Sequence, residues 1–213
     1  MSPKSRPTVA ILGLGSADAK VTVSALEAAG ATATLTRDRD AIANSDGLVV
    51  VGEGTFADVM AELRESHGDE LIERRLAGGR PVLGIGVGMQ ILFDGAMVND
   101  LDTEGLAQWP GVVTEFDSPT LPHNGWSSVE PAADSTLFAG IEDEQFHFAH
   151  SHAATEWTLE AYGAFASPRV TYATHGERFI AAVENGPLTA TQFHPEKSGE
   201  AGLQLLRNWV QSL

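Results

Sequence analysis

The chain has 213 residues, 43% of them hydrophobic and 20% charged, with a formal net charge of -16 and a pI near 4.6. So acidic a chain lacks the basic face that nucleic acid or an anionic membrane surface requires, and the absence of cysteine excludes disulfides, thiolate metal sites and a cysteine nucleophile. No apolar run approaches the roughly 18 residues that span a bilayer, and residues 1–7 hold no signal-peptide core, so a single cytoplasmic domain over 1–213 is expected.

Residues 8–13 (TVAILG) read as a buried strand of the parallel-sheet kind. Gly15-Ser16 makes a turn, and 21–29 has helical spacing with Gly30 as its stop. A second strand is expected over 32–36 and a short helix over 38–44. The apolar run GLVVV at 47–51 is a third strand, ending in the turn Gly52-Glu53-Gly54. Helical spacing returns at 56–65 and continues through 71–76 until Gly78-Gly79. A fourth strand over 81–85 leads into Gly84-Ile85-Gly86-Val87-Gly88 and a helix-like stretch at 89–93. Alternation of this kind predicts an α/β fold with a parallel sheet and helices on both faces. In such sheets sites form at the carboxyl ends of strands, where both glycine turns lie.

Beyond residue 94 the texture changes. Short strands are expected at 109–116, 126–129, 146–150, 157–165, 170–173, 179–183 and 189–193. They predict an antiparallel extension and return of the same sheet. A C-terminal helix over 200–210 carries Leu203, Leu206 and Val210 on one face.

Three constellations bear on chemistry. The glycine turns do not complete a nucleotide fingerprint: neither Gly13-x-Gly15 nor Gly84-x-Gly86 continues to G-x-G-x-x-G, and no phosphate-binding G-x-x-x-x-G-K-[ST] occurs. The histidines His147, His150 and His152 invite a metal reading. On a strand, however, His150 and His152 share a face and His147 looks away, which favours packing or pocket lining; no metal and no cofactor are expected. The third is sharper. Glycine–x–nucleophile–x–glycine between strand and helix is the form of a nucleophile elbow, and its central residue here is Gly86, which has no side chain. His194-Pro195-Glu196 follows an apolar strand, so an imidazole with a carboxylate close behind it sits at a strand end, as a general base requires.

With G-M-Q after the elbow, P-H-x-G-W at 122–126 and Q-F-H-P-E-K-S at 192–198, the chain resembles the class I (triad) glutamine amidotransferases. Within them it is similar to the glutaminase subunits of imidazole glycerol phosphate synthase. The matching stretches at 50–60, 81–93, 121–129, 148–153 and 191–206 run in order across most of the chain. The resemblance implies a flavodoxin-like amidotransferase fold, with a mixed, mostly parallel sheet. In the family an elbow cysteine attacks the amide of glutamine, the histidine of H-P-E is the base, its glutamate orients it, and backbone N–H groups hold the oxyanion. Ammonia then passes to a (β/α)8-barrel cyclase subunit in histidine biosynthesis. Carried over by position, His194 is the base and Glu196 its orienter. Gly52, Glu53 and Gly54 form the oxyanion loop, and Val87, Gln90, His150, Ser151 and His152 belong to the glutamine pocket. Lys197 falls where the family meets the barrel, and Ser16 and Asp18 lie in a loop on the same side.

The departures are as informative. The nucleophile position is Gly86. The oxyanion loop, P-G-V-G in the family, is Val51-Gly52-Glu53-Gly54. The first loop, D-Y-G-x-G-N, reads GLGSAD at 13–18, and H-S-Y becomes His150-Ser151-His152. Changes in three separate site loops fit divergence rather than one engineered cysteine replacement. Glycine at 86 cannot form a thioester, and a carboxylate at Glu53 opposes negative charge developing beside it. The expected role is therefore the amidotransferase subunit, impaired or inactive as a glutaminase. The alternative is a non-catalytic binding or regulatory module on the same fold. A conventional hydrolase with another nucleophile finds no constellation to support it.

Overall fold

The computed structural model describes residues 5–15, 19–98, 101–159 and 167–213. The first half alternates as its apolar periodicity requires: β1 (Thr8–Leu14), α1 (Ala19–Ala28), β2 (Thr32–Leu35), α2 (Arg39–Asn44), β3 (Gly47–Gly52), α3 (Phe56–Glu65), α4 (Gly68–Ala77) and β4 (Val82–Gly86). Local chemistry sets several boundaries. Asp38 caps α2 by accepting from the Ala41 N–H at 2.7 Å, and Thr55 caps α3 by accepting from the Asp58 N–H at 3.1 Å. The expected continuation of α3 through 71–76 does not occur. Ser66 ends α3, and His67 takes a left-handed conformation (φ 55°) from which α4 starts as a separate helix.

After β4 come α5 (Val87–Gln90), β5 (Phe93–Val98), β6 (Leu101–Glu104), β7 (Trp109–Glu115), β8 (His123–Ser128), β9 (Gln145–His150), β10 (His152–Ala153), β11 (Arg169–His175), β12 (Glu177–Asn185), β13 (Leu188–Thr191) and α6 (Gly199–Gln211). The helix expected at 89–93 is a single turn ending at Gln90, and Phe93 opens a strand. The strand expected at 157–165 is not formed at 157–159, and 160–166 lie outside the described residues.

The main sheet runs β11-β12-β13-β4-β3-β1-β2. Strands β2, β1, β3, β4 and β13 are mutually parallel, in the flavodoxin-like order. Strands β12 and β11 add the antiparallel return. The rest of the expected extension leaves this sheet: β10-β7-β5-β6 form a second one and β8-β9 a ribbon. Their strands carry polar residues on one side and so need only one apolar partner layer.

Alternation along the central strands divides the core between two faces. Val9, Ile11, Val49, Val51, Leu83 and Ile85 pack with Leu26 of α1 and with Leu205, Leu206 and Trp209 of α6. Leu12, Leu48, Val50 and Val82 pack with Val59, Met60 and Leu63 of α3 and with Leu71 and Ile72 of α4. Helices thus cover both faces, as the continuous apolar strands require. No helix among the described residues is long and apolar enough to cross a membrane.

Candidate active site

The carboxyl ends of β3, β4 and β13 meet at one cavity of about 430 Å³. Gly52 and Gly86 are register partners across β3 and β4. The chain reverses from β4 into α5 at Gly86, whose φ of 62° and ψ of -123° suit glycine. Close packing completes the elbow: a Cβ on Gly88 would come within 2.2 Å of the Val50 carbonyl oxygen, so α5 lies against β3 at a distance only glycine permits.

A Cβ on Gly86 would stand 3.0 Å from Cε1 and 3.2 Å from Nε2 of His194. The direction in which residue 86 would project a side chain therefore runs straight at the imidazole. The apolar strand expected to run to 193 ends at Thr191, and His194 follows it after two bend residues, with Pro195–Lys197 forming a 3-10 turn behind it. That turn brings Glu196 Oε1 to 2.8 Å from His194 Nδ1, with both side chains buried. The carboxylate leaves Nε2 as the ring nitrogen facing residue 86. Ser198 holds the turn in place. Its hydroxyl donates to the His194 carbonyl at 2.7 Å and accepts from the His147 N–H of β9 at 2.9 Å, while the His194 N–H donates to the His147 carbonyl at 2.9 Å.

The cavity brings together Gly52, Glu53, Gly54, Gly86, Val87, Gln90, His150, Ser151, His152, His194 and Lys197. Glu196 lies behind His194, out of the lining. Ser16 and Asp18 lie outside the described residues. The continuous strand expected across 150–152 is broken: Ser151 is a bend between β9 and β10. His147 does look away from His150, because Phe146, Phe148 and His150 alternate into the core.

Two features alter the sequence expectation at Glu53. Its carboxylate accepts from Lys197 Nζ at 3.0 Å, so the negative charge beside the elbow is partly compensated. Its backbone N–H donates to the Leu14 carbonyl at 3.1 Å and is committed away from an oxyanion. The first loop presses on the same segment, since a Cβ on Gly15 would lie 2.3 Å from the Glu53 carbonyl oxygen.

Sequence reasoning missed Gln192 and His123. Gln90 Nε2 donates to the His152 carbonyl at 2.8 Å and to Gln192 Oε1 at 3.1 Å. Gln192 stands in the Q-F-H-P-E string two residues before the imidazole, and both line the cavity; its place in that string was the available signal. His123 Nδ1 lies 3.2 Å from His150 Nε2, and its ring stacks on Phe148 and His175 at centroid distances of 4.7 and 4.0 Å.

Burial, then the neighbouring His175 and His147, lower the pKa of His123 to about 4. Burial above all lowers that of His150 to about 3. Both rings are neutral in the fold, whereas in the unfolded chain they titrate near 6.5. The unfolded state therefore binds more protons below that value, and stability is full above it and falls with pH. Each tenfold difference in proton affinity is worth about 1.4 kcal/mol. The urea midpoint is expected to drop between about pH 7 and pH 5, a window above the titration of ordinary carboxylates. The measurement is a set of urea titrations across that window, and an unchanged midpoint contradicts it.

A flavodoxin-ordered sheet whose central strand ends carry an elbow glycine and an imidazole–carboxylate pair is the framework of a triad amidotransferase. The family model for glutamine amidotransferase class-I matches residues 13–213, and the chain belongs to that family. At finer grain, the imidazole glycerol phosphate synthase subunit HisH of Leifsonia xyli subsp. xyli is 59% identical, over 98% of this chain and 100% of that one. Its namesake from Nocardia farcinica is 57% identical over 98% of this chain and 99% of its own. Among solved structures, a glutamine amidotransferase crystal structure superposes with a TM-score of 0.71 at 18% identity, covering 95% of this chain and 99% of the other. That last likeness speaks to the fold alone.

Proposed function

We propose that this chain is the amidotransferase subunit of an imidazole glycerol phosphate synthase, working in histidine biosynthesis as one cytoplasmic domain docked on a (β/α)8-barrel cyclase subunit. Full-length identity to the HisH proteins supports this reading. The carrying observation for its chemistry is an oriented base, His194 with Glu196 at 2.8 Å, aimed at a residue 86 with no side chain.

Glutamine would lie in the cavity with its amide carbon over Gly86 and its amino-acid end toward Gln90, Ser151 and His152. His194 can accept a proton there, but no thiol is present to supply one and no thioester can form. Loss of a triad nucleophile typically removes most of the rate, leaving what binding and the oxyanion site supply. The subunit is accordingly impaired as a glutaminase, and its synthase runs on free ammonia. Lys197, at the cavity edge, is the residue assigned to the barrel-facing side, together with Ser16 and Asp18.

The test is co-purification with the cyclase barrel, followed by turnover with glutamine or with ammonium. Stable association, ammonium-dependent turnover and little glutamine-dependent turnover are expected. Glutamine-driven turnover at the level of an intact relative would sink the impairment, and failure to bind the barrel would sink the subunit assignment.

A further inference from the structure

A line of hydrogen bonds runs from the β8-β9 ribbon into the cavity wall. Strands β8 and β9 are antiparallel, with His123 opposite His150. His123 Nε2 lies 2.9 Å from Ser127 Oγ, His123 Nδ1 lies 3.2 Å from His150 Nε2, and His150 Nδ1 lies 3.1 Å from the His152 carbonyl oxygen.

The proton positions along this line follow from its far end. A carbonyl oxygen only accepts, so His150 Nδ1 carries the proton. A neutral imidazole has one proton, so His150 Nε2 accepts. His123 Nδ1 must then donate, His123 Nε2 must accept, and the Ser127 hydroxyl donates to it. Burial of both rings is consistent with the one-proton state this count needs. The final carbonyl, that of His152, also receives Gln90 Nε2, whose other N–H is taken by Gln192 Oε1. Both donors of the Gln90 amide are thereby committed, and its oxygen is the atom it offers to the cavity.

We propose that His123 and Ser127 are positioning residues: through His150 they fix the His152 carbonyl and the Gln90 amide, so that the cavity presents an acceptor to a ligand ammonium or amide N–H. The ligand part rests on the reading of the cavity as a glutamine pocket; the positioning of Gln90 does not.

The experiment separates the two. Imidazole nitrogen NMR on the whole chain is expected to find Nδ1–H tautomers at both His123 and His150, the minor form of free histidine. In Ser127→Ala the His123 ring loses its donor. The side-chain NH2 signals of Gln90 should then shift and exchange faster, and Ser127→Thr should restore them. His123→Phe keeps a ring to stack on Phe148 and His175 while cutting the line, so an unchanged melting temperature certifies its fold. Glutamine binding by calorimetry should weaken about 3- to 10-fold in Ser127→Ala and in His123→Phe, as expected for loss of hydrogen bonding, and recover in Ser127→Thr. An Nε2–H tautomer at either ring overturns the proposal, as do Gln90 signals indifferent to Ser127→Ala. If those signals respond while the parent chain binds no glutamine, the positioning stands and the glutamine reading fails. If the parent binds and neither variant weakens it, the ligand part fails alone.

Discussion

Gly86→Cys is expected to raise glutamine hydrolysis by two or more orders of magnitude and still to stop short of an intact relative. The gain follows from aim. The Cβ direction at residue 86 points at His194, 3.2 Å from Nε2, and His194 is already oriented by Glu196, so a thiol there meets a ready base. Removing a triad nucleophile costs about 10⁶-fold in a serine protease, and restoring one recovers part of such a loss. Three features hold the rate down. The Cβ would sit 3.0 Å from His194 Cε1, tight enough that the ring must give way. Glu53 lines the same cavity with a carboxylate only partly compensated by Lys197 at 3.0 Å, and that charge opposes a developing oxyanion. The Glu53 N–H is held by the Leu14 carbonyl.

Stability should fall in the same variant, because a Cβ at φ 62° costs on the order of 1–2 kcal/mol, or about 2–8 °C in melting temperature for a chain of this size. Steady-state ammonia release by the barrel complex and a thermal melt are the measurements. A rise of only a few-fold would count against His194 as the base. Full activity of the single variant would dismiss Glu53 as an obstacle, whereas Gly86→Cys with Glu53→Val outpacing Gly86→Cys alone would implicate it.

The sheet half of the fold was legible because a strand buried on both faces has to be written in continuous apolar residues: TVAILG and GLVVV admit little else. The H-P-E turn was legible for a related reason, since proline both ends the ladder and fixes how far behind the imidazole its carboxylate sits. What escaped depends on contacts distant in sequence. A four-residue helix at Val87–Gln90 carries too few residues for periodicity to mark. The separation of β5, β6, β7 and β10 into their own sheet is a question of pairing, which alternation alone does not decide. Glu53 read as an isolated charge because Lys197, its partner, lies 144 residues away. His123 read as part of a motif string, while its role turns on His150 across a ribbon.

Arg75→Met is expected to cost about 2–3 kcal/mol through lost hydrogen bonds to backbone carbonyls, or roughly 4–12 °C in melting temperature, and to leave the site untouched. Arg75 lies in the last turn of α4 and is 3% exposed. Its Nη1 donates to the carbonyls of Ile42 (2.7 Å) and Ser45 (3.1 Å), and its Nη2 to those of Asp46 and Pro81, both at 3.1 Å. These carbonyls belong to the end of α2, the entry to β3 and the entry to β4. One planar fork thus ties together three segments. The Ile42 carbonyl also accepts from the Ser45 hydroxyl at 3.0 Å and the Pro81 carbonyl from the Leu48 N–H at 3.1 Å. The loss therefore falls mainly on the Asp46 carbonyl and on the second bonds of the others, at about 1 kcal/mol for a bond and about 1–3 kcal/mol for an acceptor left unpaired. Burial, with Arg80 next to it, lowers its pKa to about 10, so it stays charged at neutral pH and its desolvation already weighs against the fold. Arg80 shares some of the load, since it donates to the Ala43 carbonyl and, at 2.7 Å, to that of Ser45; the loss is therefore less than the sum over all acceptors. Methionine has a similar reach and no donor, and lysine retains the charge but lacks the fork. Arg75→Lys should recover less than half of the loss. Chemical denaturation of the three proteins decides it: a cost below about 1 kcal/mol for methionine would mean that water or Arg80 satisfies these carbonyls. Because β3 and β4 enter the sheet at Arg75 and leave it at Gly52 and Gly86, glutamine affinity of the folded variant should match that of the parent.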